Sequence, residues 1–127
     1  MTNIMEWTPI VDCAYDAVIT VGACTTTCAV VVQLKDFAGN DLAVKGMVGI
    51  YLSSDAAGLT KDNIDNIAAG TDGNVWELLA DNYYMACSEA DGDIDLTCTE
   101  AADTNVYLNV VLPNGKIVTS TILDFTG

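Results

Sequence analysis

The sequence predicts an all-β sandwich of about seven or eight strands in one domain. Two patterns support this prediction. Apolar and polar residues alternate with a period of two through most of the chain, with many β-branched residues. Turns rich in Gly, Asn and Asp interrupt the alternation about every 8–12 residues, and no long helical pattern lies between them.

The clearest strand covers residues 27–35, where every second side chain is apolar and would face a core. These inward positions are Cys28, Val30, Val32 and Leu34. A strand at residues 14–22 precedes it, and a turn containing Gly39 and Asn40 follows it. The remaining strands are predicted at residues 46–53, 74–80, 83–89, 93–100, 105–112 and 116–125.

Two tight hairpins are indicated by Asp91-Gly92 and Asn114-Gly115, because both dipeptides tolerate the backbone of a two-residue turn. Residues 54–73 break the strand rhythm and are predicted to form a longer loop or a short helix. Leu59, Ile64 and Ile67 fall near helical spacing, and Thr60 could cap a helix over residues 61–69. We expect any function of this segment to be contact with a partner and not catalysis.

The domain is predicted to comprise an N-terminal arm at residues 1–12 and a sandwich at residues 13–127. The start lacks the basic and apolar regions of a signal peptide, which predicts synthesis in the cytoplasm. No window approaches the roughly 18 apolar residues of a membrane-spanning helix. We therefore expect no membrane partner.

Acidic residues outnumber basic ones by 18 to 4, and the net charge is −14. Proteins bind nucleic acid through basic side chains, which displace counterions from the phosphates. We therefore do not expect nucleic acid as a partner of so acidic a chain. The acidity favours solubility in the simplest interpretation. Three more specific explanations of the acidity are a basic partner surface, cation binding and a salty environment.

The five cysteines are too few and too sparse for the disulfide framework of a small secreted domain. Reduced, structural thiols are expected, with Cys28 and Cys98 acting as small buried apolar residues. Cys24 and Cys28 are the only pair whose spacing suggests a bridge. A second ligand pair and histidine are both missing, which disfavours zinc.

Enzymatic activity is not expected, and no cofactor is predicted. Without histidine, the chain lacks Ser-His-Asp and Cys-His arrangements and the usual general base. It also lacks a Gly-rich phosphate loop. Carboxylate pairs, as glycosidases use, arise by chance in so acidic a chain.

Asp91, Asp93 and Asp95 are weak calcium candidates, because alternate acids can gather oxygen ligands around a hard cation. Gly92 stands between the first two acids, which does not fit an EF-hand loop. The simpler interpretation is a turn at Asp91-Gly92, with Asp93 and Asp95 facing solvent on a strand.

Partner contacts are predicted for the apolar side chains of the N-terminal arm, which would need a cover in water. They are Ile4, Met5, Trp7, Ile10 and Val11. Other aromatic candidates are Tyr15, Trp76, Tyr83 and Tyr84, and most of these should lie in the core or at its rim. The adjacent tyrosines should point to opposite faces of their strand.

Three stretches carry a resemblance to a known family. In the first, a strand within residues 30–42 ends in Asp36-Phe-Ala-Gly-Asn40, and an alternating apolar strand follows at residues 48–55. The second is the turn and strand at residues 91–97, within residues 84–99, and the third is the terminal hairpin at residues 106–120. Together they resemble bacterial and phage immunoglobulin-like modules, of the kind found in small head decoration proteins of tailed phages. The resemblance covers about half of the chain and implies an immunoglobulin-like sandwich. It transfers no functional residues.

The resemblance implies a non-catalytic virion protein that decorates or stabilises the exterior of a phage capsid. Its partners would be the major capsid protein or other virion subunits, with a homo-oligomer as a further possibility. The alternative is a cell-surface or adhesive module that recognises protein or carbohydrate.

Overall fold

The computed structural model describes residues 13–126, which form ten β-strands. In chain order these are β1 (Asp16–Cys24), β2 (Thr27–Lys35), β3 (Met47–Ser53), β4 (Lys61–Asp62), β5 (Asn66–Ala69), β6 (Asn74–Leu79), β7 (Tyr83–Cys87), β8 (Asp93–Thr99), β9 (Thr104–Val111) and β10 (Ile117–Phe125). The chain is an all-β, immunoglobulin-like sandwich, which confirms the predicted fold class.

Two antiparallel sheets enclose one core. The four-stranded sheet has the order β1-β2-β8-β5, and the six-stranded sheet has the order β10-β9-β3-β7-β6 with β4 paired to β3. Strand alternation places one side of each strand inward, as in the paired residues Val32 and Ile94, both 0% exposed. The six-stranded sheet contributes Ile50 and Val110 in the same way. Burial of these apolar side chains drives folding.

All eight predicted strands are present, with small differences at their ends. The prediction of a loop or helix at residues 54–73 was wrong in part, because β4 and β5 form there instead of a helix. Ile67 pairs with Cys98 of β8, so this segment satisfies its backbone groups along a sheet edge. The chain bends after β4, and this bend allows Ile64 and Ile67 to reach the core without helical geometry.

The predicted hairpin at Asn114-Gly115 is confirmed, because β9 and β10 pair antiparallel on either side of it. The predicted turn at Asp91-Gly92 also forms, but the prediction of a hairpin there was wrong, because this turn connects β7 to β8 and these strands lie in different sheets. Gly92 has φ +79° and Gly115 has φ +88°, in the region that favours glycine. Gly92 is also constrained by space, because a Cβ there would lie 3.0 Å from the carbonyl oxygens of Leu34 and Leu42.

A disulfide joins Cys24 and Cys28, the pair that the spacing had singled out. The expectation of a reduced Cys28 was therefore wrong, although its burial was correct. β1 and β2 bring the two residues opposite each other in register, which provides the proximity for the bond. Cys13, Cys87 and Cys98 are free thiols.

Alkylation should distinguish these thiols. We expect iodoacetamide to label Cys13 of the native protein readily, since this residue is exposed. Cys98 should react only after unfolding, because it is fully buried and burial raises the pKa of its thiol to about 12. Cys24 and Cys28 should require reductant, and peptide mass spectrometry reads out each site. Labelling of native Cys98, or of Cys24 without reductant, would contradict the structure.

The predicted arm at residues 1–12, with its contact residues Ile4, Met5, Trp7, Ile10 and Val11, lies outside the described residues. Its role therefore stays a prediction. Within residues 13–126, no helix has the length and apolar character needed to cross a membrane.

Candidate functional site

The outward side of the six-stranded sheet carries a continuous apolar row. Strand register places Trp76, Met85, Gly49, Val111 and Ile117 beside one another across β6, β7, β3, β9 and β10. None of these five residues is charged. We call this row and the exposed apolar side chains around it the apolar face.

Large apolar side chains on β3, β6 and β10 are 42% to 60% exposed, although water disfavours such exposure. They are Met47, Trp76, Leu78, Leu79, Ile117 and Ile122. Single exposed apolar residues are ordinary, but contiguous ones are typical of interaction surfaces. Register places Met47 beside Cys87 and Leu79 beside Tyr83, so each of these exposed residues adjoins an uncharged residue of β7.

Gly49 shapes the centre of the apolar face. A Cβ atom built on Gly49 would lie 1.8 Å from the hydroxyl oxygen of Tyr83 and 2.7 Å from its Cζ. The phenol ring of Tyr83 therefore lies close over the backbone of β3, an approach that only glycine permits here. This contact packs the half-buried ring of Tyr83 against β3.

The loop between β3 and β4 covers another part of the same side. The hydroxyl of Tyr51 donates to the carbonyl of Gly58 at 2.8 Å. The Asp55 carboxylate accepts from the backbone N–H groups of Thr60 and Leu59 at 2.9 and 3.0 Å. These bonds, with Thr60 the largest cause, lower the pKa of Asp55 and fix the loop. Leu59 is left 84% exposed.

Asn109 anchors the sheet beneath this loop. Its side chain is 0% exposed and donates to the hydroxyl of Ser53 at 2.9 Å. It accepts from the hydroxyl of Thr119 at 2.7 Å. Because both ends of the amide are satisfied, a buried polar residue is tolerated within the sheet. β3, β9 and β10 are thereby cross-linked under the apolar face.

The outward side of the four-stranded sheet is different in character. Its exposed valines are isolated by polar neighbours, since Val18 pairs with Gln33 and Val31 pairs with Thr20 and Asp95. Interspersed polar residues of this kind are typical of a solvated sheet surface. The contrast makes the outward side of the six-stranded sheet the candidate contact surface.

An acidic cluster lies on the four-stranded sheet. Asp72, Asp93 and Asp95 each place a carboxylate oxygen within 4.8 Å of the other two. Burial, a hydrogen bond with Asp72 and the charge of Asp95 raise the pKa of Asp93 to about 6, in that order of size. Asp91 contributes only a smaller charge effect.

The calcium candidates are thus brought together only in part. Asp93 and Asp95 meet Asp72, a residue the sequence had not indicated, while Asp91 does not join the three. Calcium takes six to eight oxygen ligands, and one oxygen from each of these three carboxylates would supply only three of them. Burial, the hydrogen bond with Asp72 and repulsion by the neighbouring carboxylates account for the raised pKa of Asp93, and the calcium site stays a prediction.

The raised pKa of Asp93 predicts a pH dependence of stability. The folded state favours protonated Asp93, so its stabilising contribution is complete below about pH 4 and is lost as the pH rises through about 6. Asp93→Asn should remove this loss and be more stable than the wild type at pH 8. Urea unfolding of both proteins at pH 4 and pH 8 measures the difference. An equal change in both proteins between the two pH values would contradict this assignment.

The two adjacent tyrosines point to opposite sides of β7, as the strand pattern predicted. Tyr84 is 1% exposed in the core, while Tyr83 lies on the opposite side of β7. Burial, followed by the nearby Glu77 carboxylate, raises the pKa of Tyr84 to about 12. Trp76, one of the aromatic residues considered for partner contact, is 47% exposed. Sequence reasoning did not identify Gly49, Met47 or Leu79 as parts of a site.

Comparisons with known proteins give one structural likeness. No protein-family model and no curated protein sequence matches the chain. A cohesin module from a family 33 glycoside hydrolase of Clostridium perfringens ATCC13124 is similar in structure, with a TM-score of 0.48 and 10% sequence identity. The alignment covers 90% of this chain and 98% of that module.

Proposed function

We propose that the protein is a non-catalytic binding module whose apolar face contacts another protein. The uncharged row from Trp76 to Ile117 is the observation that carries this proposal. Burying one large apolar side chain contributes about 1.5–3 kcal/mol, so a few of these residues supply useful affinity. Aromatic residues and methionine are enriched at such interfaces, and charged residues are depleted in their centres.

We further propose that the partner is a virion subunit, with the major capsid protein the first candidate. The resemblance of residues 30–55, 91–97 and 106–120 to phage immunoglobulin-like modules supports this choice.

Sedimentation tests the virion proposal. Purified protein is mixed with capsids that lack it and the shells are pelleted, with free protein alone as the control. The proposal expects saturable co-sedimentation at a fixed ratio of protein to capsid subunit. Protein that stays in the supernatant at every capsid concentration would contradict the virion role.

A cell-surface or adhesive module is the second candidate, and the Cys24–Cys28 disulfide favours it. Disulfides persist in oxidising compartments and are rare in the cytosol. Neighbouring genes distinguish the two candidates. Capsid and portal genes support the virion role, whereas secretion and anchoring genes support the adhesive role.

A further inference from the structure

We infer that the open edge of β6 accepts an extended, basic segment of the partner as an added strand. This inference rests on the proposed function and deepens it, because strand addition names how part of the apolar face would hold its partner. An added strand gains backbone hydrogen bonds from a sheet edge and side-chain contacts at alternate positions.

β6 is the open edge of the six-stranded sheet among residues 13–126. It pairs with β7 on one side, and no described strand pairs with its other side. The opposite edge, β10, lies beside β1 of the other sheet, so those two edges cover each other. An unpaired edge presents N–H and C=O groups that can pair with another chain.

Protein edges usually carry features that block such pairing, and β6 has few of them. It contains no proline, and its large side chains Trp76, Leu78 and Leu79 are 47%, 60% and 60% exposed. A register shift between Glu77 and Leu79 ends its regular pairing with β7. Because such irregularities disrupt a ladder, we place the added strand along residues 74–77.

The charge around this edge selects a basic segment. Every charged residue from 62 to 115 is acidic, and these residues include all of β6. Glu77 lies on β6, and Glu89 accepts from the N–H of Gly73 at its start. One lysine, Lys61, contacts Asn82 near the far end of β6. A second copy of this chain, with its own charge of −14, is disfavoured by repulsion.

Two synthetic peptides test the inference. One alternates valine with lysine over nine residues, and the other alternates valine with glutamate. Fluorescence anisotropy should detect binding of the lysine peptide, at least about tenfold tighter than the glutamate peptide. Amide hydrogen exchange should slow along residues 74–77 when the lysine peptide binds, since strand addition protects edge amides. Attraction by net charge alone would leave these amides unprotected and would overturn the inference.

A matched pair of variants locates the site. Trp76→Thr changes β6, and Val18→Thr changes a residue of similar exposure, 51%, on β1 of the other sheet. Trp76→Thr should weaken binding of the lysine peptide about tenfold, whereas Val18→Thr should leave it unchanged. Equal affinity for both variants would refute the β6 site. If capsids still bind through the apolar face in that case, the proposed function stands and only strand addition fails.

Discussion

Truncating Leu108 to alanine should lower the free energy of unfolding by about 2–5 kcal/mol. Leu108 is 0% exposed on β9 and pairs with Leu52 of β3 at the centre of the six-stranded sheet. Two effects contribute to the loss: the apolar side chain is no longer removed from water on folding, and a cavity is left in the core. The loss is a large part of a typical free energy of unfolding of about 5–15 kcal/mol. Urea unfolding at constant pH measures it.

Leu79→Ala is the matched control, because it removes the same atoms from a side chain that is 60% exposed. Its free energy of unfolding should change by no more than about 0.5 kcal/mol. This pair tests whether the exposed leucines serve contact rather than folding. A loss at Leu79 comparable to that at Leu108 would mean that β6 is covered within the monomer.

The second large effect is expected for Gly73→Ala, which should destabilise the protein by about 3 kcal/mol. Gly73 has φ +86°, and a Cβ atom there would lie 2.7 Å from the backbone carbonyl oxygen of Cys87. The substitution therefore adds backbone strain of about 1–2 kcal/mol and a clash with an atom that cannot rotate away. Since Gly73 leads directly into β6, the edge of the sheet should also shift.

Gly39→Ala isolates the strain from the clash. Gly39 has the same φ of +86°, but no described atom lies within 4 Å of the place that a Cβ would take in this β2–β3 connection. It should lose only the strain of about 1–2 kcal/mol. Thermal unfolding of the two variants compares them. Equal losses would mean that the contact with Cys87 relaxes without cost.

The fold could be predicted from the sequence because local patterns determine most of it. Residues 27–35 alternate so regularly that the strand, its buried side and its ends follow directly. The turns at Gly92 and Gly115 were equally local, since the turn chemistry lies in two adjacent residues. Whether the flanking strands pair is not a local property, because β9 and β10 form a hairpin whereas β7 and β8 lie in different sheets.

Features that depend on long-range register could not be predicted. β5 forms because the edge of β8 is available to pair with Ile67, and nothing in residues 54–73 indicates this. Asp72 joins Asp93 and Asp95 for the same reason, because the connection that follows β5 runs beside β8, where the carbonyl of Asp72 accepts from the N–H of Asp95 at 2.9 Å. Helical spacing in this segment reflected two separate core contacts, at Ile64 and Ile67.

A signal for the apolar face was present in the sequence, although it was not recognised. Tyr83, Met85 and Cys87 alternate with Tyr84 and Ala86, so β7 is apolar on both sides. Strands that are apolar on both sides are typical of sheets covered on both faces. In this chain the inner side of β7 is buried, whereas Tyr83, Met85 and Cys87 on the outer side are half-buried, and a partner would complete their cover.

Capsid sedimentation with face variants tests the central claim most directly. Trp76→Asp and Met47→Asp each place a charge on the apolar face, at residues 47% exposed. Val18→Asp adds the same charge to the other sheet, at a residue 51% exposed. We expect both face variants to lose co-sedimentation while remaining folded, and Val18→Asp to bind like the wild type. Retained binding by both face variants, or equal loss by all three, would contradict binding through the apolar face.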